Sequence, residues 1–328
     1  MNITNNATLL PHNTFGIDVR AAKLMIVEPG DAIPRLDEPF VVVGEGSDMV
    51  FTRDYNGTVV VLSHTDCVEV MPDGLRLKVW GGMVMDKLVE WSLANGFFGL
   101  ENLSAIPGTV GAAAVQNVGA YGAEAKDTID TVETVDLVTG ECRTYSNTEC
   151  RFGYRSSRFK QSEGHELITY VTFRLSRTYT PNLSYKALTD LPHETAMQIR
   201  QSITDMRWSK LPRPEEHGSA GSFFKNPVVD EETYCRLKKA HPDMPDAHPM
   251  SASSSGQPTY KLSAGWLIDR AGWKGRNMGR VGVWHQNALV LYNLGGCTGS
   301  EVNALAVAIQ TDIRQKFGIT LTPEAIIV

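Results

Sequence analysis

The chain has 328 residues, 42% hydrophobic and 21% charged, with a formal net charge of -6. That composition is ordinary for a soluble protein and leaves room for two or three cores. An acidic balance, with a pI near 5.8, excludes the domain-wide basic surface that a nucleic-acid binder needs. No run approaches the ~18 apolar residues that cross a bilayer. The opening Met1-Asn2-Ile3-Thr4-Asn5-Asn6 lacks the basic and apolar regions of a secretion signal. The five cysteines (Cys67, Cys142, Cys150, Cys235, Cys297) are scattered and form no CxxC. They fit free thiols in a reducing cytoplasm. The eight histidines show no HExxH or HxxxH spacing, so no metal site is expected and the expected location is cytoplasmic.

In chain order, residues 24–30 and 40–43 read as buried strands, and the second runs into Gly44-Glu45-Gly46-Ser47-Asp48. Asn56-Gly57 is a hairpin signal ahead of an apolar run at 58–62. Asp73-Gly74 punctuates another strand pair, with Leu75, Leu77 and Val79 alternating on one face. Between Met83 and Asn95, the residues Met85, Leu88, Val89 and Leu93 fall at helical spacing, and Gly96 is placed to close the helix. A small-residue tract follows at 99–122. Strands resume at 131–137 and 167–175, separated by the cationic, aromatic segment 151–160. Residues 190–207 read as an outer helix, and 208–214, with two prolines in three positions, as a hinge.

Beyond the hinge lies Gly218-Ser219-Ala220-Gly221-Ser222-Phe223-Phe224-Lys225-Asn226-Pro227. Its glycines allow positive φ and close backbone approach. A polar loop at 241–258, with His241 and His248, leads to a helix at 261–269, a strand at 288–292, and a last helix at 301–316. Ser300 can cap that helix, with Glu301 and Asp312 on its wet side. An extended tail, 318–328, ends the chain. The expected fold class is α+β.

Two readings of the chemistry stand side by side. Gly44-x-Gly46 lacks the third glycine of a dinucleotide fingerprint, and strand rather than helix follows it. With the 99–122 tract it makes a different diphosphate site, loops of backbone N–H groups to which Ser47 and Asn117 add side-chain donors; the alternative is two unrelated tight turns. Ser222 is either a hydroxyl presented to a ligand or part of a glycine-rich turn. Arg155 is either a planar fork for a carboxylate or phosphate or a solvated charge. Glu324 is either a docked site carboxylate or an exposed tail residue.

Taken together and in order, Gly44-Glu45-Gly46-Ser47, Ile106-Pro107-Gly108, Gln116-Asn117-Val118-Gly119-Ala120-Tyr121-Gly122, Tyr154-Arg155, Gly221-Ser222-Phe223-Phe224-Lys225-Asn226-Pro227, Ala264-Gly265-Trp266-Leu267-Ile268-Asp269 and Pro323-Glu324 resemble the UDP-N-acetylenolpyruvoylglucosamine reductase family, type I. The match begins at His12-Asn13-Thr14-Phe15-Gly16 and spans nearly the whole chain. The resemblance implies a vanillyl-alcohol-oxidase-type (PCMH) FAD-binding lobe at 1–205, joined by the tail 318–328, and a smaller α+β substrate-binding domain at 206–317. It implies a monomer that makes UDP-N-acetylmuramate for bacterial peptidoglycan, using noncovalent FAD and NADPH, with no membrane insertion.

By the same resemblance, Gly44, Glu45, Gly46, Ser47, Pro107, Gly108, Asn117, Gly119, Tyr121 and Gly122 bind FAD. Ser222 is the proton donor, and Arg155 and Glu324 polarise the enolpyruvyl group. Tyr185, Lys210, Asn226, Lys261 and Asn287 hold the nucleotide sugar, with Tyr185 covering it. On the residues alone two other readings stay open: a flavin oxidase, which does not need Ser222 as a donor, and a nucleotide-sugar binding protein in which Ser222→Ala is silent.

The chain departs from the family at two positions. Asn287 replaces a longer glutamine, and Asp48 stands where asparagine is usual. A carboxylate repels a diphosphate, so the Asp48 side chain is expected to turn away or to cap a local N–H. Asp48→Asn should therefore leave FAD affinity unchanged or improve it in a fluorescence titration; a large loss contradicts this. Neither glycine tract holds a His or Cys, so denaturation should release all the flavin into solution.

Overall fold

The computed structural model describes residues 1–162, 164–250 and 258–328. Part of the polar loop expected at 241–258, residues 251–257, lies outside the described ones. The chain divides into two compact units. The first comprises 1–8, 20–45 and 54–208; the second comprises 9–19, 46–53 and 209–328. The boundary falls three residues beyond the expected 205, at the end of a helix. The tail 318–328, expected with the first lobe, belongs to the second unit, because Ile326 and Ile327 pair in parallel with Met49 and Val50.

The first unit has two sheets. One runs Asn2–Thr8, Arg20–Val27, Tyr55–Leu62, Phe40–Val43 in spatial order. Tyr55–Leu62 is parallel to both of its neighbours and buried from Gly57 to Leu62. A near-continuous apolar run is what a strand covered on both faces requires. Asn56-Gly57 is therefore not a hairpin turn but lies inside this strand. A Cβ at Gly57 would sit 2.3 Å from the Pro39 carbonyl oxygen, so the glycine serves close backbone approach.

The second sheet is antiparallel and runs Cys142–Ser146, Ile129–Asp136, Glu166–Arg174, Arg76–Trp80, Val68–Val70. Asp73-Gly74 makes the expected turn between its last two strands, with Gly74 at φ +68; Leu77 and Val79 are buried, but Leu75 is exposed. The helices Met85–Ala94 and Val110–Gln116 turn Leu88, Val89, Val110 and Ala114 into a core with Leu77, Val132 and Phe173. Gly96, at φ +69, follows the end of the first of them as expected. The helix Ala196–Trp208 buries Ala196, Ile199 and Ile203.

The second unit holds an antiparallel sheet of Ser219–Ser222, Val290–Asn293, Val281–Val283 and Asn277–Met278. A smaller one pairs Val228–Asp230 and His248–Met250 with Thr259–Lys261; His248 thus lies in a strand. The expected helix at 261–269 is Ala264–Arg270, capped by Ser263. The last helix, Gly299–Phe317, is capped by Thr298 rather than Ser300. Thr298 and Glu301 form a reciprocal capping box, which satisfies two N–H groups at once. Among the described residues no helix is long and apolar enough to cross a membrane, and no His/Cys/Asp/Glu cluster could hold a metal.

Thr298→Ala should cost about 1 kcal/mol in urea unfolding, whereas Ser300→Ala should cost far less. The Arg280 guanidinium and the Thr298 N–H hold the Glu301 carboxyl down at about 2, against an ordinary 4.5. A depressed carboxylate stabilises above its unfolded pKa and loses that contribution as pH falls toward the folded value. The stability gap between the native chain and Glu301→Gln should therefore shrink between about pH 4.5 and pH 2.

Candidate active site

Two of the expected cofactor loops meet in the first unit. Gly108 N donates to Glu45 Oε2 at 2.5 Å, and a Cβ at Gly44 would stand 2.8 Å from Thr109 Oγ1. Only glycine lets these loops approach so closely. Gly108 itself has φ +116, and its carbonyl accepts from Met85 N at 2.9 Å. Glu45 thus fixes the second loop, and Pro107 beside it is exposed.

Asn117 is fully buried at the end of the helix Val110–Gln116, with φ +42. Its amide nitrogen donates to Gly153 O at 2.9 Å and to Glu124 Oε2 at 3.2 Å, and its carbonyl accepts from Lys126 N at 3.0 Å. Both amide hydrogens and the carbonyl are thus engaged within the protein. The expected side-chain donor to a diphosphate is instead a clamp that joins the 119–126 loop to the segment carrying Arg155. Arg155 donates from Nη2 to Gly119 O at 2.9 Å and lies over the Tyr154 ring at 5.5 Å. A Cβ at Gly119 would crowd Glu124 and the Arg155 guanidinium. Asn117, Tyr121 and Arg155 all hold positive φ (+42, +49 and +51). Non-glycine residues in that region carry strain, and such strain concentrates at functional sites.

Tyr121 meets Tyr185 edge to face at 5.3 Å, so the expected flavin loop touches the expected substrate-covering loop. Asn102, buried and unremarked by its sequence context, ties the two backbones. Its Nδ2 donates to Tyr121 O at 2.7 Å and Asn182 O at 2.9 Å. Gly122, at φ +84, packs against Ser184 and Tyr185, and its carbonyl accepts from Asn182 Nδ2 at 3.1 Å.

The second unit carries the remaining residues. A Cβ at Gly46, φ +64, would stand 2.2 Å from His12 O, so the loop holding Ser47 is pressed onto residues 12–13. Asn13 shapes the segment 9–17, donating to Leu9 O and Ile17 O and accepting from Ile17 N. Ser222 ends the strand Ser219–Ser222, directly after Gly221 at φ +60. Its hydroxyl bonds to no described residue, and it is half-buried. Phe223 N donates to Leu289 O at 2.8 Å, Glu324 N donates to Phe223 O at 2.8 Å, and Lys225 N donates to Thr322 O at 2.9 Å. These bonds lay the tail beside Ser222 and place Glu324, half-buried, next to Phe223.

Asn226 Oδ1 accepts from Ala264 N at 3.0 Å, and among the described residues its amide hydrogens meet no acceptor. Lys261 is close by, since Val228 pairs with Lys261 and Leu262 N donates to Pro227 O at 2.9 Å. Asn287 Oδ1 accepts from Leu289 N at 3.1 Å and so shapes its own turn. Lys210 is exposed, two residues past the helix Ala196–Trp208.

The glycine loops of the first unit suit a flavin dinucleotide. A Cβ at Gly44 would collide with Thr109, so two loops of the first unit meet as bare backbone of the kind that diphosphates occupy.

An FAD binding domain model matches residues 31–146, and a model of the C-terminal domain of UDP-N-acetylenolpyruvoylglucosamine reductase matches 213–328. The reductase of that name from Azoarcus sp. is 43% identical, covering 99% of this chain and 98% of the relative. That of Pseudomonas aeruginosa is 42% identical over 99% and 98%. The solved structure of the enzyme from Thermus caldophilus superimposes with a TM-score of 0.69 at 22% identity, covering 99% of this chain and 98% of the other.

Asn102→Ala should free the 181–185 loop. Amide exchange across 182–185 should rise, with a stability loss of roughly 1–3 kcal/mol for the carbonyls left unpaired; unchanged exchange there would contradict the clamp.

Proposed function

The chain belongs to the UDP-N-acetylenolpyruvoylglucosamine reductase family, and from that premise we propose how its residues carry the reaction. The protein is an FAD-dependent oxidoreductase that uses NADPH to reduce the enolpyruvyl group of UDP-N-acetylglucosamine enolpyruvate to UDP-N-acetylmuramate, in peptidoglycan precursor synthesis. When bound, FAD supplies the hydride chemistry between NADPH and the vinyl C3 of the substrate.

The first unit contributes most of the FAD cradle, through Gly44, Glu45, Pro107, Gly108, Gly119, Tyr121 and Gly122, with Asn117 holding the loop in shape. By family resemblance Gly46 and Ser47 also serve FAD. As C3 is reduced, charge develops at C2 and spreads onto the adjacent carboxylate. Arg155, already anchored on Gly119 O, is a preorganised cation for that charge and costs no reorganisation when the charge appears. Ser222 then delivers a proton to C2, and Glu324 supplies the neighbouring carboxyl. Serine is a weak acid, so this use suits a strongly basic carbanion; general acid catalysis of this kind is typically worth ~10²–10⁴-fold. Asn226, Lys261, Asn287 and Lys210 hold the nucleotide sugar, and Tyr185 covers it. The protein works as a cytoplasmic monomer on this reading, its five cysteines free thiols.

What supports these assignments most is the bond from Glu324 N to Phe223 O, which brings two residues about 100 positions apart in sequence to one edge. Rapid-mixing spectroscopy of Ser222→Ala tests it. NADPH should still bleach the flavin at the native rate, while reoxidation by the enolpyruvyl substrate should slow by about 10²-fold or more. Equal loss of both steps would remove Ser222 from the donor role.

A further inference from the structure

Arg200 and Arg207 lie seven residues apart on the helix Ala196–Trp208 and so share a face. Arg200 is paired: its Nη1 meets Asp86 Oδ1 at 2.5 Å, and its Nη2 meets Asp86 Oδ2 at 2.9 Å and Glu90 Oε1 at 2.6 Å. Asp86 in turn accepts from Ala105 N at 2.5 Å, in the loop that leads to Pro107. This network explains itself as structure.

Arg207 does not. Among the described residues no carboxylate lies within ion-pair reach of it, and its Nε is shut off from solvent without a hydrogen-bond partner. Tyr121 packs against Ile199 and Ile203 of the same helix, within electrostatic reach of the guanidinium. Burial pushes its pKa below the ordinary arginine value, while Tyr121 and the more distant Asp86 pull the other way. An arginine stays charged in proteins, and a buried charge without a partner is a cost that native folds rarely keep without a use. Tyr121 sits at φ +49 on the flavin loop, edge-on to Tyr185. Burial also raises its pKa, so it remains a neutral donor. The helix and the flavin loop thus bring a guanidinium and a phenol side by side.

We propose that Arg207 and Tyr121 together form a binding site for a phosphate oxygen of a diphosphate, the group that FAD and the nucleotide sugar have in common. The guanidinium fork matches phosphate geometry, and the substrate carboxylate already has Arg155. The proposal rests on the reading of the chain as a flavin reductase of a UDP-sugar.

Arg207→Gln tests it through binding and melting rather than turnover. FAD affinity is measured by fluorescence quenching on the flavin-stripped chain, and UDP affinity by flavin absorbance on the loaded one. One of the two should weaken by about tenfold or more, as befits a lost charge-assisted hydrogen bond. Loss for FAD alone assigns the flavin's diphosphate; loss for UDP alone assigns the sugar nucleotide's. In either case the flavin-stripped variant should melt no lower than the native chain, because an uncompensated charge has been removed. Arg200→Gln, by contrast, should lower the melting temperature of both the stripped and the loaded forms. Tyr121→Phe should weaken the same ligand to a smaller degree, and it serves where Arg207→Gln does not fold. A stripped Arg207→Gln protein that melts lower while both affinities stay within about twofold would overturn the site and make Arg207 a structural counter-charge. A native chain that binds neither FAD nor UDP would instead count against the reductase reading.

Discussion

A backbone approach too close for any side chain governs the second unit. A Cβ at Gly218 would lie 2.3 Å from Phe15 O, and through that contact Ser219 N donates to Thr14 O while Thr14 Oγ1 donates to Ser219 O. Seated there, the strand Ser219–Ser222 can pair with Val290–Asn293 on one side and continue through Phe223 and Phe224 to the tail on the other, where Phe224 bridges Pro323. Phe223 and Phe224 are buried to within 1%, so the aromatic wall anchors the backbone that carries Ser222. Serine and glutamate take their places as consequences of glycine and phenylalanine packing.

The first unit relies on saturated buried amides instead. Asn102 spends both amide hydrogens on carbonyls of separate loops, and Asn117 spends its own on a carbonyl and on the Glu124 carboxylate. In a low-dielectric interior such fully used networks rigidify a site, whereas half-used ones destabilise it. They hold Tyr121 and Arg155 at positive φ, where isolated chains rarely stay. The strain is local and the compensation distributed, which is the usual economy of a preorganised site.

Much of this was legible in the residues because glycine clusters, Ser222, Arg155 and Glu324 occur in an ordered set that few folds share. The strands at 40–43, 131–137 and 167–175 were legible from apolar runs and alternation. Asn56-Gly57 was misleading: the dipeptide favours a turn locally, but parallel pairing with two distant strands overrides it. Ser300 and Thr298 are equally good caps by type, and only the reach of Glu301 back to Thr298 N decides between them. Asn117 shows the opposite limit, since its residue type suggested a ligand donor and its neighbours consume it. Asn102 and Arg207 carried no local signal at all, because their significance lies in carbonyls and a phenol brought near only by folding.

This chain passes reducing equivalents from NADPH to an enolpyruvyl nucleotide sugar through a bound flavin. The most direct measurement is a two-step anaerobic spectrum of the purified protein. NADPH should bleach the flavin band, and UDP-N-acetylglucosamine enolpyruvate added afterwards should restore it with formation of UDP-N-acetylmuramate. A flavin that bleaches but does not respond to the nucleotide sugar, or a chain that cannot take up FAD, would contradict the account.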